Sequence, residues 1–555
     1  MSVPGQPPIE TPEPAGNGPG GLFRSGPLAE SLGVYLPATV AFRLINFGRI
    51  LLLSWYMLQQ QFGLFTMILL VVNVMTPLCS FGLNDAVTRY VPQHEARGTL
   101  AAMVRRSVIL LMGVTVLTLA PIFIFGRHLG GFLYTRIISD STLLDDHARH
   151  AVDLARVSAI VIALLAFYFF LLSVLKGLRM FTALSLMEIM HGGLFLALSI
   201  GAIALGEPQA LTLTWLYALS LVVPIALGGL GLQRVLSAWT GQHGAIDGGG
   251  VGRTLLGFGF WATLAGGTWQ IMVYFPAWYL NKVHGNDAVA VFAAVRQIGQ
   301  FVLIGAVALV AVVMSNVAKT WETRGREEAD RQLSLAFRGC CLGLFFGCVL
   351  VALAKDLIIR MYPPVYEAGA NILPLQLLFF LLAAFLSFLA IHFQLIEKAR
   401  HLFWPWLTGI TANVVLAHWL AGPDAASVRA GPLWKAVSPI TTHVFSVGFS
   451  DRAGLDSAAW CGVFGVAAAL VVCLALLRKE GRGPGRGSPL IILGAVLLAT
   501  HAWILAAGTT VLLILTLATE VLFTREERRR LFALAMGAVR QAPGLRSRRR
   551  DRDAD

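Results

Sequence analysis

Three arginines stand where a chain of this composition has reason to avoid them. Arg43 and Arg49 lie in the apolar stretch VAFRLINFGRILLLSWYML with Asn46 between them, and Arg296 lies in FAAVRQIGQFVL beside Gln297 and Gln300. A charge in mid-bilayer costs about 2.5–3.5 kcal/mol even on insertion scales, so such residues tend to face a wet cavity. Arg43, Asn46 and Arg49 recur at i, i+3, i+6, one slowly winding polar stripe that leaves Leu51–Leu53 and Trp55 for lipid. The competing reading for Arg43, about 12 Å into its span, is snorkelling to the headgroups; Arg49 is roughly 9 Å deeper. Arg296 sits about one turn inside the external end of its span, and outward snorkelling competes there too. A cavity lined by guanidinium forks and shielded from bulk water suits an anionic headgroup, and a diphosphate best of all. We therefore take Arg43, Asn46, Arg49, Arg296 and Gln300 as candidate ligands for such a group.

Other polar residues are open to two readings. Glu188 and His191, at i, i+3, form a candidate proton or ion-coupling pair, or a structural hydrogen bond. Asn413, His418 and His501 are lone polar residues of the kind that glue helices together. The segment LLDDHARHAVD holds Asp145, Asp146, His147 and His150, which a membrane glycosyl polymerase or ligase would use as base or metal ligands. A solvated amphipathic helix is the favoured reading, since no second acid–His cluster accompanies this one outside. No P-loop, zinc signature or nucleophile elbow is found, and we expect no catalytic residue, metal or cofactor.

The elements that position these residues follow from composition. Hydrophobic residues make up 56% of the 555 and charged ones 13%, about half the charge of a soluble domain. Too little polar surface remains to wrap a water-soluble body. Windows of about 20 apolar residues predict spans near 35–58, 62–83, 106–126, 154–175, 180–204, 211–232, 254–280, 289–317, 335–358, 371–396, 402–421, 455–477, 489–506 and 508–523, fourteen in all. The last two are the shortest, and a re-entrant hairpin is the alternative for them. The six cysteines all lie in apolar stretches and read as small buried hydrophobes. The N-terminus, rich in Pro and Gly, has no basic region followed by an apolar one and reads as a disordered tail.

Charge placement orients the chain. With the N-terminus in the cytoplasm, thirty of the 43 Lys and Arg residues fall in loops or tails on that side, and ten fall outside. The remaining three are Arg43, Arg49 and Arg296. The net charge of +13 is therefore that of a cytoplasmic rim with a basic tail facing anionic lipid, and nucleic acid is not expected as a partner. Both termini are expected to be cytoplasmic.

The chain also looks duplicated. Residues 63–98 align with 290–325 without a gap, placing Phe65 on Phe292, Asn73 on Gln300 and Arg97–Gly98 on Arg324–Gly325. Arg296 has Leu69 opposite it, so the two halves are chemically unequal. Parallel repeats of this kind build transporters that rock two lobes about a central site. The expected architecture is all-α: a tail at 1–33, a first six-helix lobe at 34–235, a linker at 236–253, a second six-helix lobe at 254–477 with an external loop at 422–453, a helix pair at 488–523, and a basic tail at 524–555.

The string RLINFGRILLLSWYMLQQQFGLFTMILLVVNVMTPLCSFGLNDAVTRYVP resembles the opening helices of the oligosaccharide and polysaccharide flippases, which include Wzx-type O-antigen exporters within the multidrug/oligosaccharidyl-lipid/polysaccharide (MOP) exporter superfamily. AVFAAVRQIGQFVLIGAVALVAVVMSNVAK resembles their eighth helix, and MYPPVYEAGANILPLQLL a Tyr-containing segment entering the tenth; the likeness covers roughly residues 35–420. The resemblance implies a V-shaped pair of lobes in the bacterial cytoplasmic (inner) membrane. It implies alternating access to a polyprenyl-linked oligosaccharide destined for surface polysaccharide such as lipopolysaccharide, with polymerase and export proteins as partners. By the same resemblance, Arg43, Arg49 and Arg296 would grip the diphosphate, and Arg89 in Thr-Arg-Tyr would guard the cytoplasmic entrance. Two departures stand out. The seventh span, WQIMVYFPAWYLN, lacks an acidic residue often found there, and the 422–453 loop is long. A multidrug/cation antiporter on the same fold is the runner-up; it would need cavity carboxylates, and Glu188 is the only clear mid-span acid of the first lobe.

Overall fold

Apolar runs of this length must satisfy their backbone internally in lipid, and helices do so. The computed structural model describes residues 28–125, 144–206, 208–239, 250–396, 398–421 and 454–529. In chain order the helices are α1 Leu28–Tyr56, α2 Gln59–Ser80, α3 Leu83–Ala96, α4 Leu100–Ile124, α5 Leu144–Gly177, α6 Phe181–Leu205, α7 Ala210–Trp239, α8 Gly250–His284, α9 Asn286–Arg324, α10 Arg326–Leu353, α11 Lys355–Ile359, α12 Gly369–Leu395, α13 Phe403–Ala421, α14 Leu455–Lys479, α15 Ser488–Ala495 and α16 Ala502–Ala518. Among the described residues, ten of the twelve longest contain a stretch long and apolar enough to cross a bilayer. The architecture is that of an all-α, multi-pass membrane protein.

Two boundaries differ from the sequence expectation. The second span stops at Ser80, not 83, because Phe81 (φ 46°) and Gly82 (φ 63°) are both left-handed. That corner sends the chain into the separate amphipathic helix α3. At the C-terminus the break falls at Thr500–His501, which are extended, so the predicted 489–506 and 508–523 become α15 with a 3₁₀ turn to Ala499, then α16. Ala-Thr-His lowers mean hydropathy too little to register, yet α16 begins only after His501. The 422–453 segment expected as an external loop, the 240–249 part of the expected linker and most of both expected tails lie outside the described residues.

In the first half α5 packs on α2, α3 and α7, while α1 lies along α6. Gly192 permits that contact: a Cβ there would fall 2.8 Å from the Phe42 ring. In the second half α12 is the central post, packed on α9, α10 and α14. Small residues bring backbones together where lipid supplies no hydrophobic drive. Gly299 of α9 faces Phe380, and Gly409 and Gly465 meet across the α13–α14 crossing. The α15–α16 pair rests on the flank of this half, exposing Leu493, Trp503, Val511 and Leu517.

The halves meet through α2, which packs on both α8 and α9, with α3 on α8 and α1 on α9. At the end where the basic loops gather, Gly82 and Gly259 touch backbone to backbone, and the Phe81 ring lies tilted against Phe260 at 6.2 Å between centroids. At the opposite end Trp55 Nε1 donates to the Met361 carbonyl (2.8 Å) and Gln59 Nε2 to the Asp287 carbonyl (3.0 Å). There Phe47 and Phe62 also pack edge-on against Tyr362 and Tyr366.

Candidate functional site

Arg49 and Arg296 project from two helices that belong to different halves. Arg49 is 6% exposed, and its guanidinium lies 4.3 Å from the Phe195 ring centroid of α6. Arg296 is 5% exposed and lies 4.0 Å from the Tyr274 ring centroid of α8. Cation–π contacts hold both side chains. Neither has a carboxylate within 4 Å among the described residues, and Arg49 Nε, Arg296 Nε and Arg296 Nη2 are buried without a hydrogen-bond partner. Arg43 is half-buried with its Nε also unpartnered; it lies within electrostatic reach of Glu188 and Tyr35 but forms no ion pair with the acid.

Tyr274 joins these residues, and sequence reasoning passed over it. It stands beside Arg296 and within electrostatic reach of Arg43 and of Tyr217, the α7 residue that neighbours Arg49. Its place follows from the local chemistry of α8. Pro276 has no N–H to offer the carbonyl four residues back, which is that of Met272. Asn413 Nδ2 of α13 donates to that carbonyl instead, at 3.0 Å. Tyr274 sits on the turn so fixed. The expectation that Asn413 is interhelical glue holds, and the Pro276–Tyr274 spacing is the signal that could have drawn attention to this turn.

The other candidates are placed as follows. Asn46 is buried and turns its amide donor to its own helix, on the Phe42 carbonyl (2.9 Å). Gln300 follows Arg296 by one turn of α9 and is partly buried. Glu188 and His191 diverge: Glu188 looks toward Arg43, Tyr35 and Lys176, with Oε2 buried and unpartnered. His191 is enclosed within the first half, with Nδ1 3.2 Å from the Ser220 hydroxyl and Tyr168 and Tyr217 against its ring. Arg89 is exposed on α3 at the basic end, 5.2 Å from the Phe258 ring of α8, hence at the seam between halves. Asp145, Asp146, His147 and His150 fall on the opening turns of α5, and their side chains lie outside the described ones.

Residues 28–315, just over half of the chain, match the family model described as polysaccharide biosynthesis protein. The chain belongs to this family. The matched stretch of this polysaccharide biosynthesis protein contains Arg43, Arg49, Arg89, Tyr274 and Arg296. No curated protein matches the sequence. Among solved structures, the chain is similar to a multidrug resistance MATE family transporter of the MOP superfamily in its inward-facing conformation (TM-score 0.60, 15% identity, covering 81% of this chain and 97% of that one). It is also similar to an outward-facing structure of such a transporter (0.56, 15%, 83% and 97%). A third likeness is to a MOP superfamily transporter from Pyrococcus furiosus described as having a binding pocket of reversed polarity that suggests a different function (0.57, 15%, 83% and 97%). The fold is that of the MOP superfamily.

Proposed function

We propose that this protein is a flippase that carries a polyprenyl-diphosphate-linked oligosaccharide from the cytoplasmic to the outer leaflet for surface polysaccharide assembly. The observation that carries the reading is a pair of buried arginines, Arg49 of the first half and Arg296 of the second, with no carboxylate within 4 Å of either among the described residues. A buried cation left unpaired is costly, and a diphosphate would supply the missing charge and acceptors for Arg49 and Arg296 together. Membership of a polysaccharide biosynthesis family supports a sugar on that diphosphate. In this reading the lobes part alternately at the two seams, the Gly82–Gly259 contact and the Trp55–Met361 contact, while the lipid tail stays in the bilayer. In the same reading Arg89 at the basic seam meets the incoming headgroup, and Glu188, within electrostatic reach of Arg43, shifts charge against it. A cation antiporter fits less well, because the centre is itself cationic; the reversed pocket polarity described for the Pyrococcus transporter is a precedent for a different cargo on this fold.

The test is translocation of a polyprenyl-diphosphate sugar in proteoliposomes. Wild type should move it, and Arg49→Ala or Arg296→Ala should slow it at least about tenfold, the loss of one charge-assisted contact. Both variants running at the wild-type rate would sink the proposal. Export of organic cations, or formation of new glycosidic bonds, would favour the antiporter or the glycosyl-transfer reading respectively.

A further inference from the structure

At the end away from the basic loops, the two halves meet ring to ring. Phe47 of α1 lies edge-on to Tyr362, with 6.5 Å between centroids, and Phe62 of α2 lies edge-on to Tyr366 at 6.1 Å. Tyr362 and Tyr366 are themselves 5.8 Å apart. Each cross-half pair thus takes one ring from each half. The two tyrosines are presented rigidly. Pro363 and Pro364 fix φ between them, a 3₁₀ turn follows at Pro364–Tyr366, and the Tyr366 amide donates to the Pro363 carbonyl at 2.9 Å.

The hydroxyls are costly there. Tyr366 is 1% exposed, and its hydroxyl is buried with no partner; Tyr362 is 3% exposed, and its hydroxyl reaches the Ala294 carbonyl only at 3.5 Å. A seal built of rings alone would be served by phenylalanine, as it is at Phe47 and Phe62, with no phenol oxygen to desolvate. A ligand with an apolar face and hydroxyls at its rim would use both parts of a tyrosine. A pyranose is such a ligand. Its axial C–H bonds carry slight positive charge and rest on the negative face of an aromatic ring, while its hydroxyls donate and accept at the edge.

Position points to the same ligand. Ala294 precedes Arg296 by two residues on α9, about 3 Å along the axis, so Tyr362 abuts the turn that carries Arg296. Phe47 likewise precedes Arg49 by two residues on α1. In a polyprenyl-diphosphate sugar the first sugar is bonded directly to the distal phosphate. A diphosphate held by Arg49 and Arg296 therefore places that sugar beside these rings. We infer that Tyr362 and Tyr366 form a sugar subsite, which takes the first sugars of the headgroup on ring surfaces now covered by Phe47 and Phe62. The inference rests on the flippase reading and adds to it the element that recognises the sugar. Parting the halves at this end bares the subsite, so a sugar seated there shifts the population toward the parted state.

The experiment compares the binding of two lipids to the purified full-length protein in nanodiscs. One is polyprenyl diphosphate carrying a single glucose; the other carries a methyl group in place of the glucose, which matches its charge. Stacking reads the pyranose ring rather than one pattern of hydroxyls, so glucose suffices as the probe. Wild type should bind the glucose lipid about tenfold tighter than the methyl lipid. Tyr366→Phe, which keeps the ring and removes the hydroxyl, and Tyr362→Leu, which removes a ring, should each erase most of that difference. Tyr366→Phe should also leave the melting temperature of the lipid-free protein unchanged or higher, because a buried hydroxyl without a partner is gone. Equal affinity of wild type for the two lipids overturns this inference and leaves the flippase reading standing. An undiminished difference in both variants overturns it too, and makes the rings a seal only. Binding of neither lipid by wild type would remove the flippase reading and this one with it.

Discussion

Two groups of buried arginines occupy this protein and are treated in opposite ways. At the basic end of the second half, Arg338 meets Glu527 at 2.7 Å and also donates to the Leu522 carbonyl, and Arg482 meets Asp330 at 3.0 Å. At the centre, Arg49 and Arg296 rest on aromatic rings with no acid at hand. The first group closes its charge internally and fastens the loops and the C-terminal segment to the helices. The second leaves its charge open, which is what a site must do if an anion from outside is to complete it. Burial alone therefore does not distinguish a structural arginine from a binding one; the presence of a partner does.

That contrast can be broken by mutation. Arg338→Ala leaves Glu527 without its partner and should cost about 3 kcal/mol, read as a lower melting temperature of the detergent-solubilised protein. Tyr274→Leu removes the ring from a desolvated guanidinium and should cost about 2 kcal/mol. In the Arg296→Met background most of that cost should vanish, a coupling that a double-mutant cycle measures. Arg296→Met alone should be neutral or stabilising by about 1 kcal/mol, since it deletes an unpaired buried charge; a large destabilisation would place Arg296 in the structural group.

The smallest expected effect is one of pH. Burial pushes the Glu527 carboxyl up, but the hydrogen bonds and charge of Arg338 and the Thr524 amide bring it below the usual range for Glu. A depressed carboxyl contributes stability above its unfolded value, about 4.5, and loses it as pH falls through the folded one. Melting curves of wild type and Glu527→Gln should therefore converge on acidification below about pH 4.5 and stay parallel above it.

Much of this was readable in the sequence, and the residues explain which parts. The long spans were legible because lipid demands unbroken apolar runs, and the three arginines because a charge there has to be justified. The duplication was faint in residue identity but is clear in geometry: Gln59 and Asn286 open their helices at aligned positions, and Gly98 (φ 67°) and Gly325 (φ 90°) stand just past the aligned ends. Between those points the halves differ. The first breaks at Phe81–Gly82, whereas α9 runs unbroken from Asn286 to Arg324. A left-handed pair leaves no trace in hydropathy, so α3 was hidden. Tyr274 was hidden for a different reason: its neighbours come from α1, α7 and α9, and no local pattern encodes them.

The short C-terminal pair has a consequence for the membrane itself. The helical run from Ser488 to Ala499 covers about 18 Å and α16 about 26 Å at the helical rise, against a hydrocarbon core of about 30 Å. With Leu493, Trp503 and Leu517 turned outward, lipids meeting that flank must shorten or tilt their chains to cover the apolar band. The elastic strain this stores is confined to one side of the molecule. The protein thus asks for a thinner bilayer on one side than on the other.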